Sequence, residues 1–316
     1  MADFYMHRML IEKLQATIGE TPESTIGAQG PDYFYYVLGK NKPKAMQLGN
    51  AIHKSHTRAF LCALIESAIR HDSEAMLHYL YGFLSHHALD TSIHPYIFYY
   101  TGLYQKNDPD TYKWAGLHLQ FERKVDIAFI KHQRGISPHT HKLFQHTLPL
   151  KQLNNAIQTA IDEAVKETYG EVFAGALFNQ GYRMMRRVGR VLVYDPTGLK
   201  QKIIRTVESY KTPKNTYYQD LSHAQNTEDF DYLNLNRTPW LHPVTKASST
   251  STVLEMYDQA YDQSLKWIHA AKEGFQHKSS LPLRQMLTDA SYDTGVSLNL
   301  DQTMQYFKDY RIDIYK

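Results

Sequence analysis

The chain has 316 residues, enough for one large domain or two small ones, and its 42% hydrophobic and 13% aromatic content can build a sizeable core. Its net charge of +3, with histidine neutral, is too small a surplus to suggest a stable nucleic-acid partner. The single cysteine, Cys62, excludes an internal disulfide and a thiolate zinc cluster, so a metal site must draw on carboxylates and the 17 histidines.

The hydrophobic period is helical nearly throughout, and an all-α, single-domain chain is expected. Residues 4–18 form a short amphipathic segment that Gly27-Ala-Gln-Gly-Pro-Asp32 breaks. A long helix is predicted over 44–70 and a second over 73–90, with Asp72 or Ser73 as its N-cap. Pro95 and Gly102 interrupt. Asp108-Pro-Asp110 can cap a helix over 111–132. Pro138 and Pro149 bound a linker before helices at 151–168 and 171–193. Asp195-Pro-Thr-Gly198 makes a turn, and a helix covers 198–210. Residues 211–250 are polar and aperiodic, a length of loop that calls for a function or for disorder. Trp240, Leu241 and His242 argue against full disorder. Helices return at 252–273 and near the C-terminus. No run of 18 apolar residues suggests a membrane span, and the start of the chain lacks a secretion-signal pattern. The expectation is a soluble, reduced, cytoplasmic protein, with membrane contact at most peripheral.

The ionisable residues fall on the core-facing rows of these helices. His86-His87-Ala88-Leu89-Asp90 and His118-Leu-Gln-Phe-Glu122 each pair a histidine with a carboxylate at i, i+4, and His94 lies between. That spacing puts two side chains on one helix face, about 5–6 Å apart at Cβ. From there both can reach one zinc ion, at roughly 2.0–2.2 Å from it. Tyr79 and Phe83 share the row of His86 and Asp90. Trp114, Phe121, Val125 and Phe129 share the row of His118 and Glu122. His53 and His56 precede Phe60 and Leu64 at the same spacing, and His7 sits with Phe4, Ile11 and Leu14. A buried polar group without a partner costs roughly 2–7 kcal/mol. The resolutions are a mutual hydrogen-bond network or a shared metal site. Asp32 follows Gly30-Pro31, either as a local cap or as a stiff way of aiming a carboxylate into a cleft.

In this ordered set the chain resembles the zinc-dependent phospholipase C family, helical hydrolases related in fold to fungal single-strand nucleases. The family's order is an early His, an Asp, a His, an HxxxD, a His and an HxxxE. His7, Asp32, His53, His86 with Asp90, His94, and His118 with Glu122 match it, over roughly residues 1–130. The resemblance implies the helical fold and two or three zinc ions. It assigns Asp32, His53, His86 and Asp90 to one zinc, and His94, His118 and Glu122 to a second. His7 would share Asp90 as a bridging ligand for a third, and Asp32 would also serve as general base. Two close metals can clamp the attacking and leaving oxygens of a phosphodiester and lower the pKa of a bound water. Secreted members complete the third site with a processed N-terminal Trp, so that site is expected to be completed differently here. The spacing from Asp90 to His94 is also shorter, and an appended lipid-binding sandwich domain is not expected.

The implied activity is hydrolysis of a phosphodiester, of a phospholipid or a related head group. Three rivals stand beside it. His71-Asp72 offers the adjacent pair of an HD-type phosphohydrolase. A non-catalytic scaffold would use its metals only to staple helices, although a site with three protein ligands keeps an open position. Cleavage of single-stranded nucleic acid could run on the same constellation. Arg183, Arg186, Arg187 and Arg190 could bind phosphate or form a solvated helix face. Tyr217, Tyr218, Tyr232 and Trp240 could line a choline or base pocket, or pack the loop down.

Overall fold

A computed structural model describes residues 4–210 and 222–314. In it the chain is all-α. The helices are α1 (Phe4–Ile18), α2 (Pro22–Gly27), α3 (Lys42–Lys54), α4 (Thr57–Arg70), α5 (Glu74–Thr101), α6 (Leu117–Arg134), α7 (Phe144–Thr147), α8 (Asn155–Tyr169), α9 (Ala174–Leu192), α10 (Leu199–Ser209), α11 (Val253–Gln276), α12 (Leu281–Met286) and α13 (Arg311–Ile314). Among the described residues the sheet is one antiparallel pair, β1 (Trp240–Leu241) and β2 (Ser248–Ser249). No helix of the described residues is long and apolar enough to cross a membrane.

Helix α5 is the axis of the molecule. It is apolar almost all round, as a helix enclosed by others must be, and packs against α11, α2, α4, α6 and α1. Ser73 caps it, its Oγ accepting from Met76 N at 3.3 Å. The helix does not stop at residue 90. It runs through Pro95 to Thr101, which brings His94 onto the same helix as His86 and Asp90. Proline removes one intrahelical bond, that to the Thr91 carbonyl, and the turn at Gly295 packs against that oxygen. The surrounding helices hold the rest of α5 in place.

The single helix expected over 44–70 is two. His56 adopts a left-handed conformation (φ +52°) and turns the chain between α3 and α4. His56 is therefore exposed at a junction rather than core-facing. No side chain at position 56 caps α4. Asp289 does so from far along the chain, accepting from Arg58 N at 3.0 Å and Thr57 Oγ1 at 2.9 Å. Asp108 caps a 3-10 turn (Pro109–Trp114) rather than α6, which begins only at Leu117 after left-handed Gly116. The described part of the long polar segment, residues 222–250, is irregular apart from its short strand pair, and Tyr232 and Trp240 are buried.

Candidate metal centre

Three residues of the centre stand on one face of α5. His86, Asp90 and His94 follow at i, i+4 and i+8, so their side chains rise from successive turns. Other elements bring the rest to that face: α1 brings His7, the 3-10 turn Gly30–Tyr36 brings Asp32, α3 brings His53, and α6 brings His118 and Glu122. Gly30 makes the approach of Asp32 possible. It has φ +49°, and a Cβ there would lie 2.2 Å from the His86 ring. Asp32 is 3% exposed, the His118 side chain 30%, and the other six residues at most 1%.

The polar atoms converge. His86 Nε2 lies 3.1 Å from Asp90 Oδ2 and 3.9 Å from Asp32 Oδ1. His53 Nε2 lies 3.4 Å from Asp32 Oδ1 and 4.0 Å from Asp90 Oδ2. The other Asp90 oxygen faces His7 Nε2 at 3.3 Å and His94 Nε2 at 3.6 Å. Glu122 Oε1 lies 3.2 Å from His94 Nε2 and 3.0 Å from His118 Nε2. Three triads could each hold a metal ion: His7, His86 and Asp90; Asp32, His53 and His86; His94, His118 and Glu122. Within each, the ligand atoms lie within 4.8 Å of one another. Two atoms bound tetrahedrally to one zinc at about 2.05 Å would be about 3.3 Å apart, in the range of the closer pairs here.

Hydrogen bonds on the far side of three rings identify what those atoms want. His53 Nδ1 meets Gly49 O at 2.7 Å, His86 Nδ1 meets Ala28 O at 3.2 Å, and His94 Nδ1 meets Tyr292 O at 2.9 Å. A carbonyl only accepts, so each Nδ1 carries the proton and donates it. Each neutral ring then presents Nε2 as a bare acceptor. The Nε2 atoms of His7, His53, His86 and His94 and Asp32 Oδ1 are buried and make no hydrogen bond. Acceptors facing carboxylates across 3–4 Å require a cation between them, either a proton on the ring or a metal ion. The carbonyl-anchored histidine facing a carboxylate is the usual arrangement of a metal-ligating imidazole.

The electrostatics agree. Burial alone would raise Asp90 and Glu122, yet Asp90 is held well below the usual carboxylate range by His86 and His94, and Glu122 by His118. Burial lowers His86 and His118 despite the carboxylates beside them. His53 goes the other way: burial would lower it, but the Asp32 carboxylate outweighs that and raises it. The donor set, all imidazole and carboxylate, is one that zinc accepts.

Other placements differ from the sequence expectations. Trp240 is not with the cluster. It packs edge-on against Tyr96 at 5.6 Å, with its Nε1 donating to Ser251 O at 3.2 Å. Tyr232 is likewise buried, its hydroxyl between Asp229 and Lys124. Both rings hold the loop down. Tyr217 and Tyr218 lie outside the described residues. The His71-Asp72 pair sits at the surface, with His71 on Glu163 at 2.7 Å and Asp72 paired with Lys278.

Three residues near the centre carried no sequence signal. Tyr292 donates its N–H to His53 O at 2.9 Å and accepts from His94, tying two histidine-bearing helices together. Asp293 follows it and pairs with Lys54 at 3.1 Å. Burial would raise its pKa, but Lys54, His94 and His53 lower it. Asp126 accepts from Met6 N at 2.7 Å and Tyr5 N at 3.2 Å, which fixes the first turn of α1 and so the aim of His7. Asp126 stands one turn beyond Glu122 on α6, but nothing in its neighbours marks it as a distant helix cap.

Among known proteins, residues 22–171 match the family model described as zinc dependent phospholipase C. That span holds every residue of the cluster except His7. No curated protein and no solved structure matches the chain.

Proposed function

Over residues 22–171 the chain belongs to the zinc-dependent phospholipase C family, and from that premise we propose that it is a zinc-dependent phosphodiester hydrolase of phospholipase C type. Asp32, His53, His86 and Asp90 would hold one zinc, and His94, His118 and Glu122 a second. His7 would hold a third with Asp90, one oxygen of which faces His86 and the other His7 and His94. Bound zinc supplies a Lewis acid for the phosphoryl oxygens and a water of lowered pKa. Asp32 is the proposed general base, which would take the proton of the attacking water; its carboxylate faces His53 and His86. The substrate is the phosphodiester of a phospholipid or of a related head group.

The observation that carries this reading is the set of three Nδ1–carbonyl hydrogen bonds, which present bare Nε2 atoms to buried carboxylates. The test is hydrolysis of nitrophenyl phosphocholine by dialysed protein whose metal content has been measured. Metal-dependent turnover is expected, with phosphomonoesters poorer. Asp32→Asn is expected to lower turnover by at least about a hundredfold, the low end for a general base. Full metal occupancy with no activity on lipid, nucleotide or chromogenic diesters would leave the metals as staples. Preference for single-stranded DNA over choline or ethanolamine diesters would select the nuclease reading.

A further inference from the structure

Helix α10 is built inside out. A helix on a protein surface normally turns its apolar stripe to the core and its charges to water. Here Leu199, Ile203 and Val207, at i, i+4 and i+8, are 57%, 54% and 54% exposed, and Tyr210 continues the row at 84%. Two of its polar residues turn toward the protein instead: Glu208 is buried, and Lys200 Nζ donates to Val191 O and Tyr194 O at 2.8 Å each. The geometry is anchored, because buried Asp195 accepts from the first-turn amides Gln201 N at 3.0 Å and Lys200 N at 3.3 Å.

The charges around the stripe have one sign. Between residues 183 and 208 lie Arg183, Arg186, Arg187, Arg190, Lys200, Lys202 and Arg205, against Asp195 and Glu208, both of which are buried. Arg183, Arg187, Arg190, Lys202 and Arg205 are exposed, and so is Val191 at the end of α9. Beside them is a cleft of about 350 Å³ whose lining includes His141, Lys142, Arg190 and Tyr194. We propose that the exposed faces of α9 and α10 dock on an anionic lipid surface, with the aliphatic stripe entering the interface and the arginines and lysines meeting the phosphates.

The pairing of features selects this occupant. An apolar stripe with a basic rim is the pattern of an interfacial helix, whose binding combines buried apolar area with attraction to anionic lipid. A second copy of the chain would set this basic face against itself. A nucleic acid would use the cations but leave the aliphatic stripe in water, since base stacking needs aromatic rings. Cis-acting chemistry is not required, and vesicle binding is read without turnover, so failure of the docking surface and failure of the phosphodiesterase reading give different results.

The experiment is flotation of the zinc-loaded protein with vesicles of phosphatidylcholine alone and of phosphatidylcholine containing phosphatidylglycerol. Binding to the second and not the first is expected, weakening as salt rises. Arg183→Gln with Arg187→Gln and Arg190→Gln is expected to weaken binding by about a hundredfold, since each basic residue near an anionic surface contributes about fivefold. Ile203→Asp with Val207→Asp should abolish flotation. Circular dichroism and hydrolysis of the soluble chromogenic diester, both unchanged in these surface variants, show that they fold. Equal binding to both vesicle types, undiminished binding by either variant, or loss of a wild-type dimer in the aspartate variant overturns the inference. So does release from vesicles by a short single-stranded RNA that binds more tightly.

Discussion

Asp90 is the residue on which the centre turns, because its two oxygens face opposite sides. Oδ2 looks to His86 and His53, and Oδ1 to His7 and His94. Asn keeps the shape and removes the charge. Asp90→Asn is expected to lose two metals if three are bound, or one if the His7 site is empty, whereas His118→Ala loses only the metal it shares with Glu122. Elemental analysis of the dialysed variants checks this, and an unchanged metal count in Asp90→Asn would remove Asp90 as a shared ligand. His87, next to the cluster, is a buried ring stacked on Trp267 at 5.2 Å and tilted against Tyr292 at 4.2 Å. Burial pushes its pKa from 6.5 to about 3. The unfolded chain therefore binds a proton that the folded one refuses. The stability this ring contributes is complete above its ordinary pKa and falls as pH drops below it. Between about pH 6.5 and pH 5 the loss is about 2 kcal/mol. His87→Phe should flatten the fall, measured as denaturant midpoints at the two pH values in zinc buffer; parallel slopes would mean His87 takes no part.

At the scale of elements, two features set how helices pack around the centre, and both are non-local. Asp289 caps α4 across the fold. Asp289→Ala is expected to cost about 1–2 kcal/mol, the range for losing an N-cap, with metal content retained. Helices α2 and α5 meet backbone to backbone: a Cβ on Gly82 would lie 2.1 Å from Ser24 O, and one on Gly27 would lie 2.1 Å from Tyr79 O. Gly82→Ala must push α2 off α5 and carry the Asp32 turn with it. The expected cost is about 3 kcal/mol, the upper part of the overpacking range, together with loss of metal from the Asp32 site. Chemical denaturation and elemental analysis separate the two variants, since only the second moves a ligand. The cap of α5 was legible in the sequence as Asp72 or Ser73, and Ser73 supplies it, because the cap and its amide are three residues apart. The Asp289 and Asp126 caps were not, because their partners are 231 and 120 residues away.

For the whole molecule, the centre is where α1, α3, α5 and α6 are joined, with Tyr292 from late in the chain bonded to two of them, so metal and fold should be coupled. Chelation leaves buried imidazoles facing buried carboxylates with no cation between them, an arrangement that must protonate or open. A chelator is expected to lower Tm by at least about 5 °C, reversed by added zinc; an unchanged Tm in scanning calorimetry would detach the cluster from stability. What the sequence by itself determined was the helical class and the set of residues that share a polar, core-facing character. Both are written in short periods: the 3.6-residue repeat, and the i, i+4 spacing of His86 with Asp90 and His118 with Glu122. Only the tertiary structure decided that α5 continues through Pro95, that His56 ends a helix, and that Trp240 packs inward. It alone tied Tyr292 to both His53 and His94. The reason is one of range. A helix face is set by neighbours a turn away, whereas a proline is tolerated, a cap supplied or an imidazole oriented by groups that only the folded chain brings within 3 Å.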